Sequence, residues 1–436
     1  MRTASRWLAR RSSQYRSDCE VRTGVSMPQP RDDAAAIPGE RLRATRLRRG
    51  LTQEALAELA GLSLGVVKKL ERGGTGRLET YHALARALRV RTSDLLEPTV
   101  PHQTRRGDAD KLNLLSFRQV ITPPIGPAGR MPAVTADPEP DLLRLADMAG
   151  TVALAYHTDD YGQVAELLPP LVSSAHVAVS HFAGEPDHLR ALRVRSDVLQ
   201  MAGRYLTQVR AYDLAHVALR DATDDALAAG AMDAVAGAVY QQGWLLMRQG
   251  RLEEAEAVSI STAEAVEPRI SKASRRDLGA WGKLLVHASA AAARNNKPQE
   301  AREMLRLGRT AGTALAGATA VAPSSWGRFD WRTITFQHIE NQLVADRPER
   351  VLGLAERVRG VGDVTFMRRH LLDVAAANAA LRRRDEATSI LEQLRAQTPA
   401  WLRHQQMATQ IFHQVQRLNG RVTARHRELA KFFDAP

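Results

Sequence analysis

The sequence predicts an all-α protein in two unlike parts, a five-helix module near the N-terminus and a long array of helical repeats behind it. Three observations carry this. Apolar side chains recur at helical spacing from Gly39 to Phe433, with few β-branched, strand-like runs. A turn followed by an apolar helix returns six times after residue 141. The formal charge of +13 is uneven, residues 1–97 holding 19 Lys and Arg against 11 Asp and Glu.

A chain of 436 residues has length for two to three domains and no difficulty in burying a core. Its single cysteine, Cys19, excludes an intramolecular disulfide framework and a Cys-based zinc site, and fits a reducing cytosol. No run of 18 apolar residues is present, so no membrane span and a cytoplasmic location are expected. The opening MRTASRWLARRSSQYRS is rich in Arg and Ser but lacks an apolar stretch, unlike a secretory signal. Residues 1–38 read as a disordered basic tail rather than a transit peptide, with Met27 an alternative start.

From Gly39 the elements follow in order. GERLRATRLRRG is a first helix with Leu42 and Leu47 read as inward, ended by Gly50. LTQEALAELAGLSLGVVKKLERG is two short helices about a tight turn: Thr52 caps the first, Gly61 breaks it, and Ser63 offers a hydroxyl to cap the second. A Gly-rich loop leads to a fourth helix with Leu78, Tyr81, Leu84, Ala85 and Leu88 inward, and a fifth starts after Ser93. An ordinary helical hairpin is the plain alternative for the central pair, but the pattern extends well beyond the turn.

The combined run R-x-x-x-G-L-T-Q-x-x-L-A-x-x-A-G-x-S, then V-x-x-x-E-x-G, L-x-x-L-A-x-A-L-x-V and D-L-L resembles the helix-turn-helix domain of the lambda-repressor/Cro (xenobiotic-response-element) family. The resemblance assigns residues 39–97 to binding double-stranded DNA. Gln53 matches a phosphate contact at a helix start, where the helix dipole also favours an anion. Ser63, Leu64, Gly65, Lys68 and Lys69 match the recognition-helix face, and Arg77 is a further phosphate candidate. Arg46 and Glu71 match a structural ion pair between helices. The sequence departs from the family where base reading is strongest. Leu64 can only meet a thymine methyl and Gly65 has no side chain, which leaves direct readout to Lys68 and Lys69.

Residues 98–140 carry eight prolines and read as a linker, interrupted by the apolar patch Leu112 to Phe117. Residues 141–436 form the array. Its turns are DDYGQVA, AGRYLTQV, RQGRLEEA, NNKPQEA, DRPERV and RRRDEA, with Ala165, Val209, Ala255, Ala301, Val351 and Ala387 as equivalent small apolar positions. The third unit, with Gly243, Leu246, Gly250, Ala255 and Pro268, resembles a tetratricopeptide repeat, which implies six degenerate helical pairs in a right-handed solenoid. Thr313 to Trp331 breaks the repeat and reads as a loop over one face.

An inner face of such an array is a binding surface. In the register of Ala255, the candidate groove residues are Tyr240, Trp244, Arg248, Lys283, Arg294, Phe336 and Glu340, with Asn341 and Asn378 as partners for a peptide backbone. No zinc-binding, nucleophile-elbow, Walker or dinucleotide motif is present, and Asp159/Asp160 and Asp224/Asp225 read as turn and cap residues. Neither catalytic residues nor a metal or cofactor are expected. The leading expectation is a homodimeric transcription regulator whose array senses a peptide or small-molecule effector. The alternative is an interaction scaffold anchored to DNA, with a protein partner.

Overall fold

Glycines in left-handed backbone conformation set the boundaries of the N-terminal module. Helix α1 (Pro38–Arg48) ends before Gly50 (φ +66°), and α2 (Gln53–Leu59) ends before Gly61 (φ +64°). Helices α3 (Leu64–Glu71), α4 (Leu78–Leu88) and α5 (Thr92–Leu96) complete it. The computed structural model describes residues 38–74, 76–96, 114–127, 129–130, 140–315, 329–358, 364–418 and 423–434. Of the tail read over residues 1–38, residues 1–37 lie outside them, as does much of the proline-rich stretch, and Pro38 belongs to α1.

The Thr52 hydroxyl accepts the Ala55 N–H at 3.1 Å and caps α2 as expected. Ser63 stands at the N-cap of α3 but makes no side-chain cap bond. Thr92, not Ser93, opens α5, and Asp94 accepts the Arg91 N–H just before it. Leu42, Leu56, Val67, Leu70, Leu84 and Leu95 form the core. Leu47 is instead 58% exposed. It lies five residues after Leu42, and five helical steps of ~100° turn a side chain to a different face.

The apolar patch in the linker is part of the array. Helix α6 (Leu115–Ile121) packs on α8 (Tyr161–His181) and α10 (Tyr212–Ala228). Phe117 is buried there, its ring stacked on Tyr205 at 5.2 Å. An array boundary at residue 141 is therefore too late, because burial of Leu114 and Phe117 fastens the stretch before it. A two-stranded hairpin, β1 (Ile125–Gly126) with β2 (Gly129–Arg130), follows.

Six helical pairs succeed it: α7 (Leu142–His157) with α8, α9 (His188–Gln208) with α10, α11 (Met232–Arg248) with α12 (Leu252–Ala265), α13 (Arg275–Arg294) with α14 (Pro298–Ala314), α15 (Trp331–Val344) with α16 (Pro348–Ala355), and α17 (Val364–Ala380) with α18 (Arg384–Gln397). Helices α19 (Pro399–Arg403), α20 (Gln406–Arg417) and α21 (Ala424–Asp434) close the far end. Each pair turns on one left-handed residue: Asp159, Arg210, Gly250, Asn296, Asp346 and Arg382.

That residue sets the register. Five positions later stand Val164, Ala215, Ala255, Ala301, Val351 and Ala387, all buried. Seven positions earlier stand Val152, Gly203, Gly243, Ser289, Ile339 and Ala375, also buried. These two sets are where the helices of a pair meet, and the Ser289 hydroxyl donates to the Ala301 carbonyl at 2.7 Å. Two expected anchors move: Val164 replaces Ala165, and Ala215 replaces Val209. The motif AGRYLTQV is helix rather than turn, since a Cβ on Gly203 would lie 2.4 Å from Leu219 Cγ, so its glycine serves close approach. Asp224 and Asp225 also lie inside a helix, α10, with Asp225 paired to Arg195 at 2.6 Å. Asp160 caps α8 as expected.

Gly203→Ala should destabilise the array by about 1–3 kcal/mol through overpacking against Leu219, with Leu219→Ala in the same chain recovering part of the loss. Urea unfolding of the single and double variants measures this; equal stability of Gly203→Ala and wild type would contradict the close contact.

Candidate nucleic-acid interface

The surface expected to meet DNA lies on α3. Val67 and Leu70 face the core, which turns Ser63, Gly65, Lys69 and the following Arg72 to solvent and leaves Leu64 and Lys68 half-buried. Arg77 is exposed at the N-cap of α4. Among the described residues no carboxylate ties up Lys68, Lys69 or Arg77, so their charge is open to an incoming polyanion.

One buried network fixes α3 against the two helices before it. Arg46 Nε donates to Glu71 Oε1 at 2.6 Å and Arg46 Nη2 to Glu71 Oε2 at 3.1 Å, while Arg46 Nη1 donates to the Leu51 carbonyl at 2.7 Å. Gln53 Nε2 donates to the same Glu71 Oε2 at 2.6 Å. Burial pushes the Glu71 carboxyl up, but the bonds from Arg46 and Gln53 outweigh it and hold the group below the usual carboxylate range. The Gln53 amide is thus partly spent inside the domain. What its position offers a phosphate is chiefly the first backbone N–H groups of α2.

Residues 39–98 match the family model of a helix-turn-helix domain. Comparison with curated proteins and with solved structures returned no match. The helix-turn-helix domain is a DNA-binding unit, and the match leaves the array outside it.

The domain sits on the array through α4 and α5. His82 inserts between two helix C-termini, its Nδ1 2.6 Å from the Arg294 carbonyl of α13 and its Nε2 3.0 Å from the Val344 carbonyl of α15. The Thr92 hydroxyl donates to the same Arg294 carbonyl at 2.6 Å, the Ser93 N–H to Asn295 Oδ1 at 2.9 Å, and Asn296 Nδ2 to the Val90 carbonyl at 3.2 Å. Arg86–Asp346 and Arg91–Glu253 ion pairs lie at the rim. Burial, helped by Arg86 and Arg294, pushes the His82 ring below its ordinary value, against the pull of the two carbonyls. No sequence signal pointed to these residues, whose partners lie more than 160 positions away.

The expected groove residues meet in a row on the first helices of successive pairs. Tyr240 stacks on His287 at 3.9 Å with Lys283 Nζ 5.0 Å from its ring, and Phe336 stacks on His370 at 4.8 Å. Glu340 joins Arg294 at 2.5 Å and Arg369 at 3.0 Å. Arg248 lies 5.6 Å over Trp244. The row is a partly closed seam: Lys283 is 1% and Phe336 3% exposed, while Tyr240, Trp244, Arg248, Arg294 and Glu340 are half-buried. Burial, reinforced by Lys283, lowers His287 to about 3, and burial lowers His370 to about 4, so both rings are neutral at pH 7.

Two expected residues do not serve as proposed. Asn341 Nδ2 donates to Ser289 at 2.8 Å and its Oδ1 accepts from Gln337 at 2.9 Å, while Asn378 Nδ2 donates to the Val374 carbonyl of its own helix at 3.0 Å. Both amides are buried and structurally committed. A cleft of about 310 Å³ opens elsewhere, at the start of α11 and α13, lined by Met232, Asp233, Glu267, Arg269 and Lys272. Among the described residues no cluster could hold a metal ion, and no helix is long and apolar enough to cross a membrane.

Asp373 tests the seam's electrostatics. Burial pushes its carboxyl well above the usual range, despite the pull of Arg369 at 3.5 Å. An acid whose folded-state value is raised weakens folding progressively as pH rises above its unfolded value. Asp373→Asn should therefore be more stable than wild type by about 1–2 kcal/mol at pH 7, with the difference vanishing near pH 4. Thermal melts at both pH values check this; an equal gain at pH 4 would remove the electrostatic explanation.

Proposed function

We propose that the chain is a cytoplasmic transcription regulator, in which the helix-turn-helix domain docks on operator DNA and a tetratricopeptide-like array governs that docking in response to a signal. The observation that carries this reading is the orientation of the domain. Its α3 face, with Lys68 and Lys69, is clear of the array, while α4 and α5 are fastened to it. A change in the array therefore has a direct mechanical route to the DNA-binding surface. The tetratricopeptide-like character is supported by the recurring left-handed turn flanked by small or apolar contact residues.

The signal in this reading is a peptide or small molecule taken at the seam, and the acting form is a homodimer that reads two half-sites about 34 Å apart. The array is a sensor and not an enzyme. The scaffold reading, with a protein partner, gains from one observation: Lys283 and Phe336 are closed in, and a protein laid on the outside of the array would not require them to open.

The test is a footprint of DNA upstream of the chain's own gene, with wild type and Lys68→Ala/Lys69→Ala. Wild type should give sequence-selective protection. The double variant should bind about 10–100-fold more weakly and show a salt dependence shallower by about 2 in log–log slope. Absence of selective protection by the wild-type chain would remove the regulator reading.

A further inference from the structure

Two of the array helices that hold the helix-turn-helix domain, α13 and α15, are also tied together inside the seam. The last carbonyl of α13, on Arg294, and the last carbonyl of α15, on Val344, face opposite ring nitrogens of the single His82 imidazole. The neutral ring carries one N–H, so it donates to one carbonyl while its other nitrogen lies against the second, and this seating exists only when the two helix ends stand apart by about the width of the ring. Thr92 and Ser93 of α5, bonded to Arg294 and Asn295, depend on the same helix end.

That separation is set within the array. Arg294, whose backbone holds the domain, sends its side chain across to Glu340 of α15, and Glu340 is also held by Arg369 of α17. Glu340 lies four residues, about one helical turn, before Val344, so movement at one reaches the other through a rigid element. Beside the polar bonds, Leu78 and Leu96 lie against the Gly250 turn. Contacts between domains of one chain commonly permit relative motion.

We propose that Glu340 is the cross-tie that keeps the domain clasped, and that an anionic ligand drawing Arg294 and Arg369 away from it releases the helix-turn-helix domain from the array. The ligand class follows from the chemistry. Two guanidiniums sharing one carboxylate are the pair for which a carboxylate or phosphate competes best. This inference rests on the regulator reading for its biological meaning, but its test does not use DNA.

The experiment is amide hydrogen exchange on the full chain, read at a peptide spanning residues 90–96, where the Ser93 N–H bonds across the interface. Glu340→Gln and His82→Ala should each speed exchange there about tenfold, while residues 56–70 stay as protected as in wild type. Citrate and inorganic pyrophosphate, added to wild type at constant ionic strength, should produce the same acceleration with either or both anions, and none beyond it in Glu340→Gln. If His82→Ala speeds exchange and Glu340→Gln does not, the cross-tie is overturned; if neither does, the clasp is. If neither anion acts on wild type, the ligand class is overturned. Should Glu340→Gln also lose protection along α13, Arg294→Gln, which removes the same α13–α15 tie and keeps the backbone carbonyl, is read in its place with the same expectation. A clasp that opens without changing affinity for operator DNA would leave this inference standing and defeat the sensing reading.

Discussion

The array depends on a backbone constraint, one left-handed residue between the two helices of every pair. Two of the six are Arg, for which this conformation costs roughly 1–2 kcal/mol, while Asp, Asn and Gly at the others adopt it more readily. Burial of the flanking contact residues offsets the cost. With seven residues before the turn and five after it, the two contact positions lie twelve apart in the chain and face each other in space, as the Ser289–Ala301 bond shows directly. Glycine, alanine, serine and valine occupy eleven of these twelve positions, Ile339 being the exception, so the paired helices can approach closely. Gly203 against Leu219 is the tightest case.

Fixing each pair in this way also fixes what lies between pairs. First helices pack on first helices, α11 on α13, α13 on α15 and α15 on α17. Side chains on their shared face must then satisfy one another in an environment largely closed to water. The seam does so by alternation: Arg294 and Arg369 flank Glu340, and neutral His287 and His370 stack on Tyr240 and Phe336. Buried ion pairs of this type seldom add much net stability, because desolvation offsets most of the attraction. Their consequence is geometric. Removing one partner leaves a charge stranded, so the helices keep the spacing that holds the charges together.

How much of this was legible in the sequence depended on the range of the interactions. The turn chemistry of the helix-turn-helix domain is local, and Thr52, Gly50 and Gly61 act where the residues alone placed them. Six helical pairs were legible for the same reason. Register failed where one residue type has two uses. Gly203 looked like a turn glycine, yet it sits inside α9 for close approach, and the actual turn at Arg210 carries no glycine to mark it. The seam was legible as a helical face, but not the burial of Lys283 and Phe336 within it. Nor could the commitment of Asn341 be read, since its partner Ser289 is 52 residues away. His82 was illegible altogether: its carbonyl partners are 212 and 262 residues distant, and they are backbone groups that any residue could supply.

The linker reading changes meaning accordingly. Residues rich in proline invite a picture of a freely tethered DNA-binding domain, for which the array could matter only by raising local concentration or by dimerising. A domain bonded through His82, Thr92 and Ser93 to the ends of α13 and α15 has an orientation as well as a position. In the proposed regulator orientation matters, because α3 would reach base edges only when α2 and the Arg77 loop met the phosphates on either side. The Arg46–Glu71–Gln53 network makes α1, α2 and α3 move as one piece. A displacement at α4 and α5 is therefore carried to the recognition surface rather than dissipated within the domain.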